Sequence, residues 1–357
     1  MPAPQDPPTP IMKHDRDMEA ARLALTRWLS ERRPNMRDLE LSPIRTPGGT
    51  GVANETLLAD ARWREDGVDR LGGFAVRLAA RDPFWIDADI KTQFLMYQAL
   101  ADEPDIPVPP VIAYEADPAW LGAPFYVMEK IEGVVPPDLP FYSQGGFVFE
   151  ATPADRRLMW EEAVAALAKV HKADVGRLTF LDRPHLGEGG FRQELNYFRR
   201  YLDWAAHGRV FETLELGWEW LNANLPTDSQ TGLSWGDARV GNMIFKDFRV
   251  QAVLDWDTVS LAGPETDIAW WLHMERDAPQ ALDGWGQPDE LVALWEDLTG
   301  WKVRNLHYHR VFTAFRLGAI ALKVSERMVR HGILSQEAAD ERARVMSGEK
   351  LTILLGL

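Results

Sequence analysis

The stretch LSWGDARVGNMIF, residues 233–245, holds Asp237 and Asn242 five residues apart in a loop between two apolar ends, and Asp255 follows thirteen residues later in AVLDWD. These are the residue types of a phosphoryl-transfer site: a carboxylate to receive a hydroxyl proton, then a carboxamide and a carboxylate whose oxygens suit magnesium. Each has a plainer explanation when taken alone. Asp after glycine caps turns, Asn tolerates a left-handed backbone, and Asp ends strands. The three in register at the margins of two strand-like runs are not explained that way. Asp257 shares the local face of Asp255 if the strand continues, where it would assist the metal, meet the substrate or remain a solvated turn acid.

Such a loop needs a scaffold, and the periodicities supply one. DRDMEAARLALTRWLSERRP reads as an amphipathic helix ending at Pro34. LELSPIRTP, ANETLLADARW and GGFAVRLAA are partly alternating runs punctuated by GGTG and REDGVDR, which predicts three antiparallel strands. A helix over DADIKTQFLMYQALAD and two strands, VIAYEAD and APFYVMEKI, complete a small five-stranded sheet with one inserted helix. EGVVPPDLPFYSQGG has the composition of a linker. Beyond it, TPADRRLMWEEAVAALAKVHKAD carries Thr152, Pro153 and Asp155 at capping positions and is a predicted helix. Further helices are predicted at 191–206, 211–224, 264–276, 288–299, 303–331 and 336–354.

Composition bounds the function. The 357 residues are 46% hydrophobic and 26% charged, an ordinary globular balance. The absence of cysteine rules out disulfides and thiolate metal sites and points to a reducing cytoplasm. IAWWLHM and FRLGAIAL fall far short of the roughly 20 apolar residues of a membrane helix. MPAPQDPPTP reads as a disordered tail without a secretory signal. A net charge of −15 argues against a nucleic-acid surface. The charge is uneven: residues 251–300 hold eleven acids against Arg276, and residues 301–357 hold ten Lys and Arg against five acids. The acidic block follows the candidate site, so negative potential there would favour a cationic acceptor; the alternative is a solvated helical surface.

WGDARVGNMIF, VLDWD and GPETDIAWW together resemble the aminoglycoside phosphotransferase and choline kinase family, small-molecule relatives of the protein kinases. GGTGVANETLL, FAVRL, IPVPPVI, GAPFYVMEKIEG and LAKVHKAD follow in the expected order, so the resemblance covers roughly residues 40–275. It implies a fold of class α/β (α+β): a protein-kinase-like two-lobe fold, with an N-terminal tail and helix over 1–36, a five-stranded nucleotide-binding lobe over 37–130, and a mainly helical lobe over 131–357 for catalysis and acceptor binding.

By that resemblance Asp237 takes the position of the catalytic base, and Asn242 and Asp255 those of the Mg²⁺ ligands. Gly48, Gly49 and Gly51 belong to the loop over the ATP phosphates, although Asn54 stands where a third glycine would be. Arg77 occupies the place of the phosphate-contacting lysine of strand three. Its helix partner aligns at Gln93, where an acid is expected. Three outcomes are open: Gln93 bonds Arg77, Asp89 substitutes, or Arg77 is a surface residue. Adenine would lie against the backbone near Glu129 and Ile131. Asp257 and Glu265 are candidates for the acceptor side, and Asp267 for an anchor of the catalytic loop. Trp235 replaces the histidine usual before the Gly-Asp pair and offers bulk and one N–H donor but no acceptor. His171 is expected to be a core residue rather than a ligand.

The expected activity is therefore an ATP- and Mg²⁺-dependent transfer of the γ-phosphoryl group to a small-molecule hydroxyl. The alternatives are a kinase for choline-like or hydroxyacyl substrates, or, given Trp235, Gln93 and Arg77, a nucleotide-binding scaffold with little turnover.

Overall fold

Asp17 opens the first helix, α1 (Met18–Arg32), by accepting the N–H groups of Glu19 and Ala20 at 3.0 and 2.9 Å. A computed structural model describes residues 16–47, 54–103, 105–138, 140–228, 231–276 and 278–357. Ala21, Leu25, Trp28 and Leu29 form the buried stripe of α1. That stripe covers one face of a sheet made from β1 (Arg37–Leu41), β2 (Glu55–Glu65), β3 (Val68–Leu78), β4 (Val111–Glu115) and β5 (Phe125–Glu129). Strand order is β1-β2-β3-β5-β4, antiparallel throughout. β2 and β3 pair without interruption from Glu55↔Leu78 to Glu65↔Val68. They close through Asp66 and Gly67, both at positive φ (52° and 77°), as a two-residue hairpin loop requires.

Alternation along the strands divides the sheet between two cores. Phe125 and Val127 face α1, whereas Tyr126 and Met128 face α2 (Ile90–Leu100), whose Met96, Tyr97 and Leu100 join them. This second core runs without a break into the C-terminal part, through Trp235 and Trp256, to α4 (Pro153–His171). The linker leads from the sheet to α3 (Phe147–Glu150). Gly133, at φ +150°, is pressed there against a later strand: a Cβ would lie 2.5 Å from Ile244 Cγ2 and 2.6 Å from the Phe245 carbonyl.

The remaining elements are α5 (Phe191–Ala206), α6 (Glu212–Ala223), the hairpin β6 (Met243–Lys246) and β7 (Arg249–Val253), α7 (Pro264–Met274), α8 (Ala278–Ala281), α9 (Pro288–Thr299), α10 (Leu306–Arg330) and α11 (Gln336–Leu355). Helices α5, α6, α10 and α11 share a separate core that includes Phe198, Tyr201, Leu214, Phe312 and Phe315. α3 and α8 were not expected from sequence, being too short to show a period. No described helix is long and apolar enough to cross a membrane.

Candidate active site

The β6–β7 hairpin sets the two halves of the motif side by side. Met243 pairs with Val253, and the Leu254 N–H donates to the Asn242 carbonyl at 2.8 Å, which brings the end of the 237–242 loop against the residue before Asp255. Asp255 itself sits at φ +63°, a left-handed backbone that costs a non-glycine residue energy and turns the chain out of the strand. Trp235, fully buried, holds this corner from below: its indole N–H is shared between the carbonyls of Leu254 (2.9 Å) and Asp255 (3.0 Å).

Asp237 accepts hydrogen bonds from three side chains. The Asn242 amide donates to its Oδ2 at 2.7 Å and to its main-chain carbonyl at 3.0 Å, Trp270 Nε1 donates to Oδ1 at 2.8 Å, and Arg239 Nε donates to Oδ2 at 3.2 Å. Burial alone would raise its pKa; Arg239, the Asn242 amide, Arg316 and the Trp270 N–H outweigh that effect and hold it below the usual carboxylate range. The side chain is still 28% exposed to the cleft. Because both Asn242 bonds use Nδ2, its Oδ1 is left to face elsewhere. That oxygen and the Asp255 carboxylate, 31% exposed, are hard donors of the chemical kind magnesium takes while keeping several waters.

Asp267 underlies the loop from the first turn of α7. It is fully buried and accepts four hydrogen bonds, from Ser234 Oγ (2.9 Å), the N–H groups of Trp235 (2.6 Å) and Gly236 (2.8 Å), and His171 Nε2 (3.0 Å). His171 Nδ1 accepts from Trp295 Nε1 at 2.8 Å, which leaves Nε2 as the protonated nitrogen. His171 is thus a satisfied core residue.

Arg77 follows none of the three arrangements left open from sequence. It is neither bonded to an α2 side chain nor on the surface: NH2 reaches Asp255 Oδ2 at 3.4 Å and Asp257 Oδ2 at 3.3 Å, and NH1 donates to Thr56 Oγ1 at 3.1 Å. Gln93 meets it at a shared partner, because the Gln93 amide and Asn54 Nδ2 both donate to Asp257 Oδ1. Asp89 instead caps α2 through the Lys91 N–H at 2.9 Å. The reason is reach: a guanidinium on β3 extends past the helix to the carboxylates of the opposite lobe, and an uncharged Gln93 does not compete for it. Burial, then the charge of Asp255, raises the pKa of Asp257 to about 7, with Arg77 and Asn54 opposing.

Other sequence candidates lie apart. Glu129 ends β5 with its N–H committed to the Pro110 carbonyl at 2.9 Å, and Ile131 follows where the chain leaves the sheet. Gly48, Gly49 and Gly51 lie outside the described residues. Glu265 is not gathered into the site. Two residues before Asp267, it stands about 200° around α7, buried beside Arg304 with its pKa raised by that burial. The acidic block likewise disperses: Glu290 pairs with Arg157 (2.8 Å), Glu296 with Lys302 (2.5 Å), and Asp267 and Glu275 are buried inside.

A cavity of about 280 Å³ opens beside Asp257, between the β3–α2 connection (Phe84, Trp85, Ile86) and the segment leading into α5 (Phe180, Leu186) together with Tyr197 of α5 itself. Of its four carboxylates, Asp87 pairs with Arg200 (3.1 Å), Glu194 with Arg183 (2.7 Å) and Asp257 with Arg77, whereas Asp89 accepts, among the described residues, only the Lys91 N–H as the cap of α2.

Sequence reading missed several residues that shape this site. Arg239 lies inside the motif itself, and Trp270 is one helical turn after Asp267, so both had a local signal. Arg316, which donates to the Gly236 carbonyl, had none beyond a single cation in the apolar run FTAFRLGAIAL.

The sequence profile of a phosphotransferase enzyme family matches residues 55–302. The Arabidopsis thaliana protein named "Probable acyl-CoA dehydrogenase IBR3" is 27% identical over 300 residues, which is 75% of this chain and 34% of that protein, so the chain spans about a third of this curated relative. A solved structure from Ralstonia eutropha JMP134, provisionally described as an aminoglycoside phosphotransferase, superposes with a TM-score of 0.68 at 22% identity, over 94% of this chain and 98% of that one. Choline kinase LicA from Streptococcus pneumoniae superposes with a TM-score of 0.56 at 12% identity, over 93% and 98%. The fold is accordingly kinase-like, a five-stranded antiparallel sheet followed by a mainly helical part.

Proposed function

Because the chain belongs to the phosphotransferase enzyme family, we propose that it transfers the γ-phosphoryl group of ATP to a hydroxyl of a small molecule, with Asp237 as catalytic base and Asn242 and Asp255 as magnesium ligands. The observation that carries this reading is the Asp237 carboxylate, kept ionised by Arg239 and the Asn242 amide while still open to the cleft. A depressed pKa suits the role. In a loose transition state the acceptor proton leaves late, so a carboxylate that orients the hydroxyl is of more use than a strong base. Asp237 would hold the acceptor O–H through the oxygen facing the cleft and take its proton as the oxygen bonds to phosphorus. Arg77, now bound to Asp255 and Asp257, is within one side chain's reach of the phosphates that the metal would bring to the same carboxylates. Bound magnesium would neutralise charge on the phosphate oxygens. In this reading the loop of Gly48, Gly49 and Gly51 covers the phosphates, and adenine lies along Glu129 and Ile131, using the Glu129 carbonyl because its N–H is taken.

Asp237→Asn tests the assignment. Turnover, read as ADP release over a panel of amino sugars, amino alcohols and hydroxy acids, should fall by roughly 10² to 10⁴ with little change in ATP binding. Near-normal turnover would reject it.

For the acceptor, a hydroxyacyl compound is a second reading with two supports. IBR3 bears the name of an acyl-CoA dehydrogenase, and the cavity beside Asp257 has aromatic and aliphatic walls with three of its four carboxylates in ion pairs. A polycation would have to give up water there with Asp89 as the one lining carboxylate outside an ion pair among the described residues. The acidic block supports a cationic acceptor only through Asp255 and Asp257, which remain at the cleft, because Glu290 and Glu296 pair elsewhere and Asp267 and Glu275 are buried.

A further inference from the structure

We infer that Arg316 is the positioning residue for the catalytic loop, tying the Gly236 peptide beside Asp237 and the segment after Asp257 to the helical layer of α5 and α10. It rests on the phosphotransfer reading only for the name of the reaction. Arg316 is 1% exposed, in the middle of α10. Its NH1 donates to the Gly236 carbonyl at 2.9 Å and its NH2 to Thr258 Oγ1 at 3.0 Å. One guanidinium thus bonds the two stretches of chain that carry Asp237 and Asp255–Asp257.

The contact is demanding on both sides. Gly236 sits at φ +94°, and a Cβ there would lie 2.2 Å from the Thr258 carbonyl, so the two stretches touch backbone to backbone. The Gly236 carbonyl then points into a buried space, where an unmet acceptor is costly. Arg316 fills that space and is flattened between two rings, 4.1 Å from the centroid of Trp270 and 4.9 Å from that of Phe198. Trp270 is the same indole whose N–H holds Asp237 Oδ1 at 2.8 Å. Phe198 lies on α5, next to Tyr197 and one turn after Glu194, both of which line the cavity beside Asp257. A continuous set of contacts therefore leads from the cavity wall through Phe198 and Arg316 to the loop of Asp237.

Arg316 also bears on stability: without it the Gly236 carbonyl would be unmet and Glu194, Asp237 and Asp267 would lose a buried cation. Its Nε has no hydrogen-bond partner among the described residues, and an apolar side chain of similar volume would fill the space but meet neither Gly236 nor Thr258. A planar fork with two donors in fixed relation does what such a side chain cannot: it sets the distance and tilt between two segments.

The test measures hydrogen exchange by mass spectrometry and ADP release from MgATP in Arg316→Met, Arg316→Lys and Thr258→Val. In Arg316→Met the 233–242 backbone should exchange about tenfold faster, the loss of one hydrogen bond's worth of protection, while α5 and α10 stay within about twofold of wild type. Turnover should fall by a similar or larger factor with the KM for MgATP little changed, and Arg316→Lys, which keeps one donor, should recover part of both. Thr258→Val removes only one of the two bonds, preserves the charge, and should show the same pattern at smaller amplitude. It decides the matter if Arg316→Met does not fold. The exchange arm needs no acceptor, so its failure is distinct from a failure of the phosphotransfer reading. Unchanged exchange over 233–242 in the soluble variants, or loosening spread through α5 and α10 without preference for the loop, would overturn the positioning role.

Discussion

Trp235 shows how one side chain can replace another by doing a different job. Where the resembling family places histidine, the indole supplies a single donor, shared between the carbonyls of Leu254 and Asp255, and packs on Trp256 with ring centroids 5.8 Å apart. It holds the strained corner at Asp255 from beneath without needing an acceptor. Trp235→Phe keeps an aromatic ring but removes the N–H and leaves the part-buried carbonyls of Leu254 and Asp255 a donor short. Stability should drop by about 1–3 kcal/mol, seen as a lower midpoint in urea, and MgATP should bind more weakly because the Asp255 corner is freed. A variant with the wild-type midpoint would show that the shared bond contributes nothing.

Among elements, α7 carries the most consequence per residue. Its first turn presents Asp267 to the loop, its next turn Trp270 to Asp237, and its end Glu275 to the Val240 N–H at 3.5 Å and to the Tyr142 hydroxyl. Burial pushes the Glu275 pKa up to about 8, opposed only in part by the Val240 N–H. The native state therefore keeps a proton that the unfolded chain, with an ordinary value of 4.5, gives up. Between these two values the unfolded state binds fewer protons, so stability should fall as pH rises through that window and level off above it. Glu275→Gln carries no titratable proton and should flatten the slope, gaining on wild type as pH rises. Urea unfolding at several pH values checks this, and parallel curves for the two proteins would refute it.

At the scale of the whole molecule, the cleft is joined by polar contacts across a shared apolar core. The inner face of the sheet and α2 pack into the same cluster as Trp235 and Trp256, and above it Asn54, Arg77 and Gln93 from one side converge on Asp257 from the other. MgATP bound in this cleft should raise the unfolding temperature, since a ligand at 100 times its Kd adds about 2.7 kcal/mol. Asp255→Ala removes the anionic metal ligand and should abolish most of that rise while leaving the ligand-free protein folded. Equal MgATP-induced shifts in the two proteins, measured by differential scanning fluorimetry, would count against metal ligation at Asp255.

The motif around Asp237 and Asn242 was legible because its geometry is local: five residues of loop closed by a hairpin fix their proximity, and alternation and helical periodicity located the sheet and the longer helices. By itself the sequence also determined the residue types available for chemistry and the exclusion of thiolate sites. Tertiary structure decided the partners. Arg77 takes Asp255 and Asp257, 178 and 180 residues away, and Arg316 takes Gly236 at a separation of 80. No local pattern encodes such pairings, because they depend on how two layers of helices and a sheet come together. The protonation of Glu275 and the depressed pKa of Asp237 have the same origin: burial and neighbouring charge exist only once the chain has folded, and they set how these carboxylates behave.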